Sequence, residues 1–117
     1  NPGYQSVIKD LKESTKQRFA ALDFTYPEAT VESEIVMHEA GIGRREADML
    51  VRIAQRTRNL KGHGLDEGAS TRMLIQAGRL IGRGVALAEA CDVALVLPMT
   101  DDADMREAMT EAIAACA

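Results

Sequence analysis

Aromatic side chains are nearly missing from this sequence: two Tyr, two Phe and no Trp make up 3 % of its 117 residues. The core must therefore be built from Leu, Ile, Val, Met and Ala, which favours helices packed on helices over a β-sandwich. No apolar run is long enough for a membrane span. The first residues show no signal-peptide pattern. Cysteine is scarce: Cys91 and Cys116 lie in helical patterns without metal-ligand spacing. They read as buried or free thiols in a reducing, cytoplasmic compartment. No lysine is followed by Ser or Thr, so the phosphate-cradling G-x-x-x-x-G-K-[ST] loop is absent. A basic excess is absent too. The net charge is −4, which argues against nucleic acid as a partner. Asp101–Ala117 holds five acidic residues against Arg106, so the remainder is balanced.

What is present reads as a short mixed opening followed by helices. Asn1-Pro2-Gly3-Tyr4 is turn-like. Ser14-Thr15-Lys16-Gln17 fits a capping box for a short helix that ends near Arg18. Ala20, Leu22, Phe24 and Tyr26 alternate with more polar neighbours and predict one β-strand. A single strand cannot satisfy its own backbone groups. The orphan strand and the start at Asn1 rather than Met together predict the C-terminal part of a larger protein. From Pro27 onward the patterns are helical. Val31, Ile35 and His38 mark one face of a helix ended by Gly41. Arg44 to Leu60 should bury Ala47, Leu50, Val51, Ala54 and Thr57, and Met49, Ile53 and Leu60 widen that stripe as in a helix covered on two sides. A helix over Leu87–Val96 should close at Pro98. A last helix from Thr100 or Asp101 should bury Met105, Ala108, Ala112 and Ile113.

The stretch Gly68-Ala69-Ser70-Thr71-Arg72-Met73-Leu74 organises the chain. Ser70 or Thr71 can cap a helix running from Arg72 to Arg83, with Leu74, Ala77, Gly78 and Ile81 inward. Arg72 then lies in the first turn, where a cation opposes the helix dipole. The position suits an anion, because free N–H groups and a guanidinium together make a phosphate site. The plain alternative is a solvated arginine. Other chemistry is weakly represented. Asp66-Glu67 follows Gly64-Leu65 rather than an apolar strand and reads as a loop before the next helix. His38 and His63 have no metal spacing; His38 is expected against its helix face and His63 in solvent. Ser70 has no His–Asp partners, and Asp101, Asp102 and Asp104 lack the glycine and distal Glu of a calcium loop. No resident metal is expected.

Larger runs carry a family resemblance. Asn1-Pro2-Gly3-Tyr4-Gln5-Ser6 and Lys9-Asp10-Leu11-Lys12-x-Ser14-Thr15-Lys16-Gln17-Arg18-Phe19 resemble the segment after the fourth core strand of MoxR-type AAA+ ATPases. The branch is that of the CbbQ, NorQ (NirQ) and GvpN proteins. Leu60-Lys61-Gly62-His63-Gly64-Leu65-Asp66-Glu67-Gly68-Ala69-Ser70-Thr71-Arg72 is similar to that branch's helical lid, as is Pro98-Met99-Thr100-Asp101-Asp102. The resemblance covers essentially the whole chain. It implies that Asn1 is the sensor-1 asparagine, positioning the attacking water. It implies that Arg18 is the arginine finger, reaching ATP in the neighbouring subunit, with Lys16 close by. It implies that Arg72 is the sensor-2 arginine, binding phosphate from the lid. A finger of this kind can contribute about 10³–10⁵ in rate.

The expected fold is mainly α, a helical lid-like bundle over 27–117, preceded by a remnant of an α/β core over 1–26 with one strand. By resemblance the parent binds ATP and Mg2+, forms a homo-hexamer and remodels or activates a partner enzyme complex. Rubisco, nitric oxide reductase and a gas-vesicle component are the candidate clients, with a von Willebrand A-domain protein as adaptor. The phosphate loop and the magnesium-holding acidic strand are not in this sequence, so no ATP hydrolysis is expected from the chain alone. The alternative is a stand-alone helical interaction module, forming a strand-paired or swapped homodimer.

Overall fold

The computed structural model describes residues 26–116. Its elements are helices α1 (Ala29–Ala40), α2 (Arg44–Asn59), α3 (Thr71–Gly82), α4 (Leu87–Cys91), α5 (Leu97–Met99) and α6 (Ala103–Cys116). A π-helical turn, Asp92–Val96, joins α4 to α5. No strand occurs among the described residues, and the fold is mainly α as expected. The predicted strand, the capping box at Ser14 and the 1–26 remnant lie outside the described residues, apart from Tyr26, which is in neither helix nor strand.

Helix α2 is the centre of the packing because its sequence is strongly amphipathic. Ala47, Leu50, Val51, Ile53, Ala54 and Thr57 are buried and Met49 and Leu60 half-buried, the widened inward face that the spacing predicts. Helices α1, α3 and α6 pack against it. The core is closed by Val36, Leu74, Leu95, Val96, Met109 and Ile113. Helices α1 and α3 come close at Gly78, where a methyl group would sit 2.7 Å from Ala40 Cβ and 3.1 Å from Ile42 Cδ1. Gly41 ends α1 in the left-handed conformation at φ 71°, with its N–H donating to Met37 O.

Three expectations need correction. The face Val31–Ile35–His38 of α1 is exposed, and Glu32, Ser33 and Val36 are buried instead. Polar partners pull that side inward: Ser33 Oγ donates to Asp48 Oδ1, and Glu32 meets Arg58. Second, the helical rod that begins with α4 does not stop before Pro98 but continues through the π turn and α5 to Met99. The π turn shifts the bonding so that Leu97 N donates to Asp92 O. That register absorbs a residue with no N–H to offer. Third, α6 starts at Ala103, with Asp102 Oδ1 accepting from Asp104 N at 2.8 Å and Met105 N at 3.2 Å. Its buried residues are Met109 and Ile113, Met105 and Ala112 are half-buried, and Ala108 is exposed. Among the described residues no helix is long and apolar enough to cross a membrane.

Candidate functional site

The start of α3 is built by three helices at once. Ser70 caps it from an extended conformation, its Oγ accepting from Met73 N at 3.2 Å. That takes up one of the N–H groups that a helix start leaves without an internal partner. Thr71 Oγ1 donates to Glu32 Oε2 at 2.7 Å. Glu32 is fully buried in the first turn of α1, where a carboxylate suits the helix dipole. Arg58 lies in the last turn of α2, where a cation suits it. Its guanidinium forks onto the carboxylate, NH1 to Oε1 at 2.8 Å and NH2 to Oε2 at 2.6 Å. This is the bidentate geometry in which arginine binds carboxylates most strongly.

The segment before the cap is held by the same residues. Arg58 Nε donates to Ala69 O at 3.0 Å, and Ala69 N donates to Thr57 Oγ1 at 2.9 Å. The Thr57 hydroxyl donates in turn to Ala54 O at 2.7 Å. The Tyr26 ring lies 3.7 Å from the Arg58 guanidinium carbon, a cation–π contact on its remaining face. Gly68 lets the loop lie directly on α2. A methyl group there would sit 2.6 Å from Arg58 Cα and Cγ. Every buried side-chain polar atom among the described residues has a partner.

Arg72 is the second residue of α3 and is exposed. Among the described residues no carboxylate pairs with it; the ion pairs are Arg44–Glu34, Arg58–Glu32, Lys61–Glu67 and Arg106–Asp101. A cation without a counter-charge therefore stands at the positive end of a helix, on a base fixed by buried polar bonds. Asn1, Lys16 and Arg18 lie outside the described residues, so no geometry links them to Arg72. Both histidines are exposed; for His38 this corrects the expectation of packing against its helix. Among the described residues no three His, Cys, Asp or Glu side chains are grouped to hold a metal. Cys91 is a buried free thiol, pushed up to about 12 by burial first and by the nearby Cys116 second.

Sequence reasoning found the Ser70 cap and the first-turn position of Arg72 and expected Thr57 to be buried, but it missed Glu32, Arg58 and the hydrogen-bonding role of Thr57. Positions 32 and 58 belong to different helices and no periodicity connects them. Gly68 appeared only as part of a glycine-rich approach.

Comparison with known proteins gives the family. A family described as CbbQ/NirQ/NorQ C-terminal matches residues 32–116, which begins at the buried glutamate and takes in the whole α3 junction. Protein CbbQ of Hydrogenophilus thermoluteolus is 61 % identical over 112 residues, 96 % of this chain and 42 % of that protein. Protein NorQ of Paracoccus denitrificans is 45 % identical over 115 residues, 98 % of this chain and 43 % of the relative. The denitrification regulatory protein NirQ of Pseudomonas aeruginosa is 52 % identical over 102 residues, 87 % of this chain and 39 % of the relative. The chain thus spans about two-fifths of the length of these relatives. With a family match over most of its length and relatives of this identity, the chain belongs to the CbbQ/NirQ/NorQ C-terminal family.

Proposed function

We propose that this chain is the helical lid of a MoxR-type AAA+ ATPase that remodels or activates a partner enzyme complex, and that Arg72 is its phosphate-sensing arginine. The observation that carries the reading is the unpaired, exposed Arg72 at the start of a helix whose position is fixed by Ser70, Thr71, Glu32 and Arg58. A cation at that place works against the helix dipole by a few tenths of a kcal/mol, a cost that a docked phosphate removes. The residues fit a phosphate oxygen. The guanidinium offers paired donors, and the first N–H groups of α3 offer more. No carboxylate cluster among the described residues suits Mg2+, so the metal of a bound nucleotide would be held elsewhere in the protein.

In this reading ATP supplies the phosphoryl charge, and this chain's residues orient and sense it. Arg72 binds phosphate from the lid. The buried Glu32–Arg58 pair keeps the base of α3 from yielding, so a pull on Arg72 moves the helix bundle as one piece. Arg18 reaches the nucleotide of a neighbouring subunit, and Asn1 orients water; both roles rest on the motif resemblance. The homo-oligomer, the von Willebrand A-domain adaptor and a client of the rubisco or nitric oxide reductase kind belong to the same proposal. The relatives' names, CbbQ, NorQ and denitrification regulatory protein NirQ, are in keeping with it.

The test replaces Arg72 by Ala in a polypeptide of the relatives' length that carries this chain. ATP affinity and turnover should both fall while the helical circular dichroism signal and Tm stay at the parent values. Arg72→Lys should recover affinity in part, because a point charge replaces a fork. Unchanged affinity and turnover would return Arg72 to a solvated surface residue. The 117-residue chain alone should show no ATP turnover, and hydrolysis above background would overturn that expectation.

A further inference from the structure

Val93 and Leu97 are large apolar side chains left 51 % and 46 % exposed, although the core of the same helical rod is well packed. Ala94, Leu95 and Val96 are all buried in succession, while Val93 and Leu97, four residues apart, share the opposite, exposed face of the rod. Glu89 and Asp92 lie on the same exposed side of the rod. One helix face therefore presents two aliphatic side chains beside two carboxylates, at a π turn of the kind that is common at functional positions.

Helix α3 carries the complementary face. Arg79 and Arg83 are exposed one turn apart, with Gln76 exposed one turn before them. Their spacing along the axis is about 6 Å, against about 4.5 Å for Glu89 and Asp92, so each guanidinium can reach a carboxylate. Arginine stems are aliphatic and cover apolar surface while the head group stays polar. Although α3 and α4 pack together within one chain, none of these four charges has an ion-pair partner among the described residues. The charges face outward, where another molecule can meet them.

We infer that the Glu89–Asp92–Val93–Leu97 face docks a second copy of this chain through the Arg79–Arg83 face of its α3. This goes beyond the ATPase reading and needs no nucleotide. Arg72 has no part in it, so its failure and the failure of the phosphate-sensor reading are separable. The carboxylates pair with the arginines, and Val93 and Leu97 pack under the arginine stems. The contact is electrostatic at its rim and therefore falls with salt.

Analytical ultracentrifugation of the 117-residue chain tests it. At about 0.01 M ionic strength, where charges act over about 30 Å, the average mass should rise between about 10 µM and 1 mM protein. At about 1 M salt it should fall towards the monomer. Arg79→Glu/Arg83→Glu and Glu89→Lys/Asp92→Lys should each be monomeric, and an equimolar mixture of the two should associate again. All four positions are exposed, so circular dichroism should show both variants folded. Val93→Ser/Leu97→Ser provides an independent check and should lower association at least tenfold without a charge change. A wild-type chain that stays monomeric throughout overturns the inference. So does association that survives either charge reversal, or reversed variants that fail to associate when mixed.

Discussion

Replacing Glu32 by Ala should cost this bundle a large share of its stability. The carboxylate is fully buried and accepts from Arg58 NH1, Arg58 NH2 and Thr71 Oγ1. Its removal leaves a guanidinium whose side chain is only 10 % exposed, with no counter-charge, and a threonine hydroxyl without its acceptor. Breaking a buried pair in this way costs about 3–5 kcal/mol. Small domains have about 5–15 kcal/mol in all. At roughly 4–8 °C per kcal/mol the Tm should fall by roughly 12–40 °C. Arg58→Met should cost about as much, because it strands the carboxylate and also frees Ala69 O. The double variant Glu32→Leu/Arg58→Met removes both charges together and should cost less than the two single changes summed, by about 2–3 kcal/mol. Urea unfolding followed by circular dichroism measures all three variants, provided the slope m is unchanged. Single changes below about 1 kcal/mol, or costs that add within about 0.5 kcal/mol, would refute the claim that the pair fixes the α3 junction.

Smaller perturbations should follow the same geometry. Gly68→Ala should destabilise by about 1–3 kcal/mol in urea unfolding, because the added methyl meets the α2 backbone at Arg58 rather than a side chain that can move aside. Ser70→Ala should remove about 1 kcal/mol, read as a Tm lower by roughly 4–8 °C, with Arg72 untouched. Cys91 should resist alkylation in the folded chain while the half-buried Cys116 reacts, as counted by mass spectrometry. The thiol of Cys91 is raised from 9.0 to about 12, so the folded state binds its proton more tightly than the unfolded one. Its contribution is therefore complete below pH 9 and lost as pH rises towards 12, and Cys91→Ala should flatten that alkaline fall in stability.

Much of the bundle is legible in the sequence because α2 and α3 carry clean apolar stripes. The spacing of Ala47, Leu50, Val51 and Ala54 is enough to orient α2, and Leu74, Ala77 and Gly78 orient α3. The stop at Gly41 and the cap at Ser70 depend on local backbone chemistry, so neighbours in sequence suffice to find them. Helix α1 misleads for the opposite reason. Its apolar pair Val31 and Ile35 faces out, and its inner side holds Glu32 and Ser33, whose partners are far along the chain. The rod from Leu87 to Met99 misleads because a proline ordinarily ends a helix, whereas here the π turn re-registers the bonding before it. At the site, Arg72 is readable as a cation in a first turn, but the residues that hold its base are not.

The Glu32–Arg58–Thr71 contact also decides which arrangement of helices is allowed. Among the described residues the buried core is made of Ala, Val, Leu, Ile, Met and Cys without an aromatic ring. Such side chains can slide past one another by part of a turn and still exclude water, since volume matters more to them than direction. A forked guanidinium cannot. Moving α1 or α2 by one residue, about 1.5 Å along its axis, would pull both nitrogens off the carboxylate and leave two buried charges apart. The aliphatic core supplies the attraction between the helices, and this one polar contact acts as the key that admits a single register.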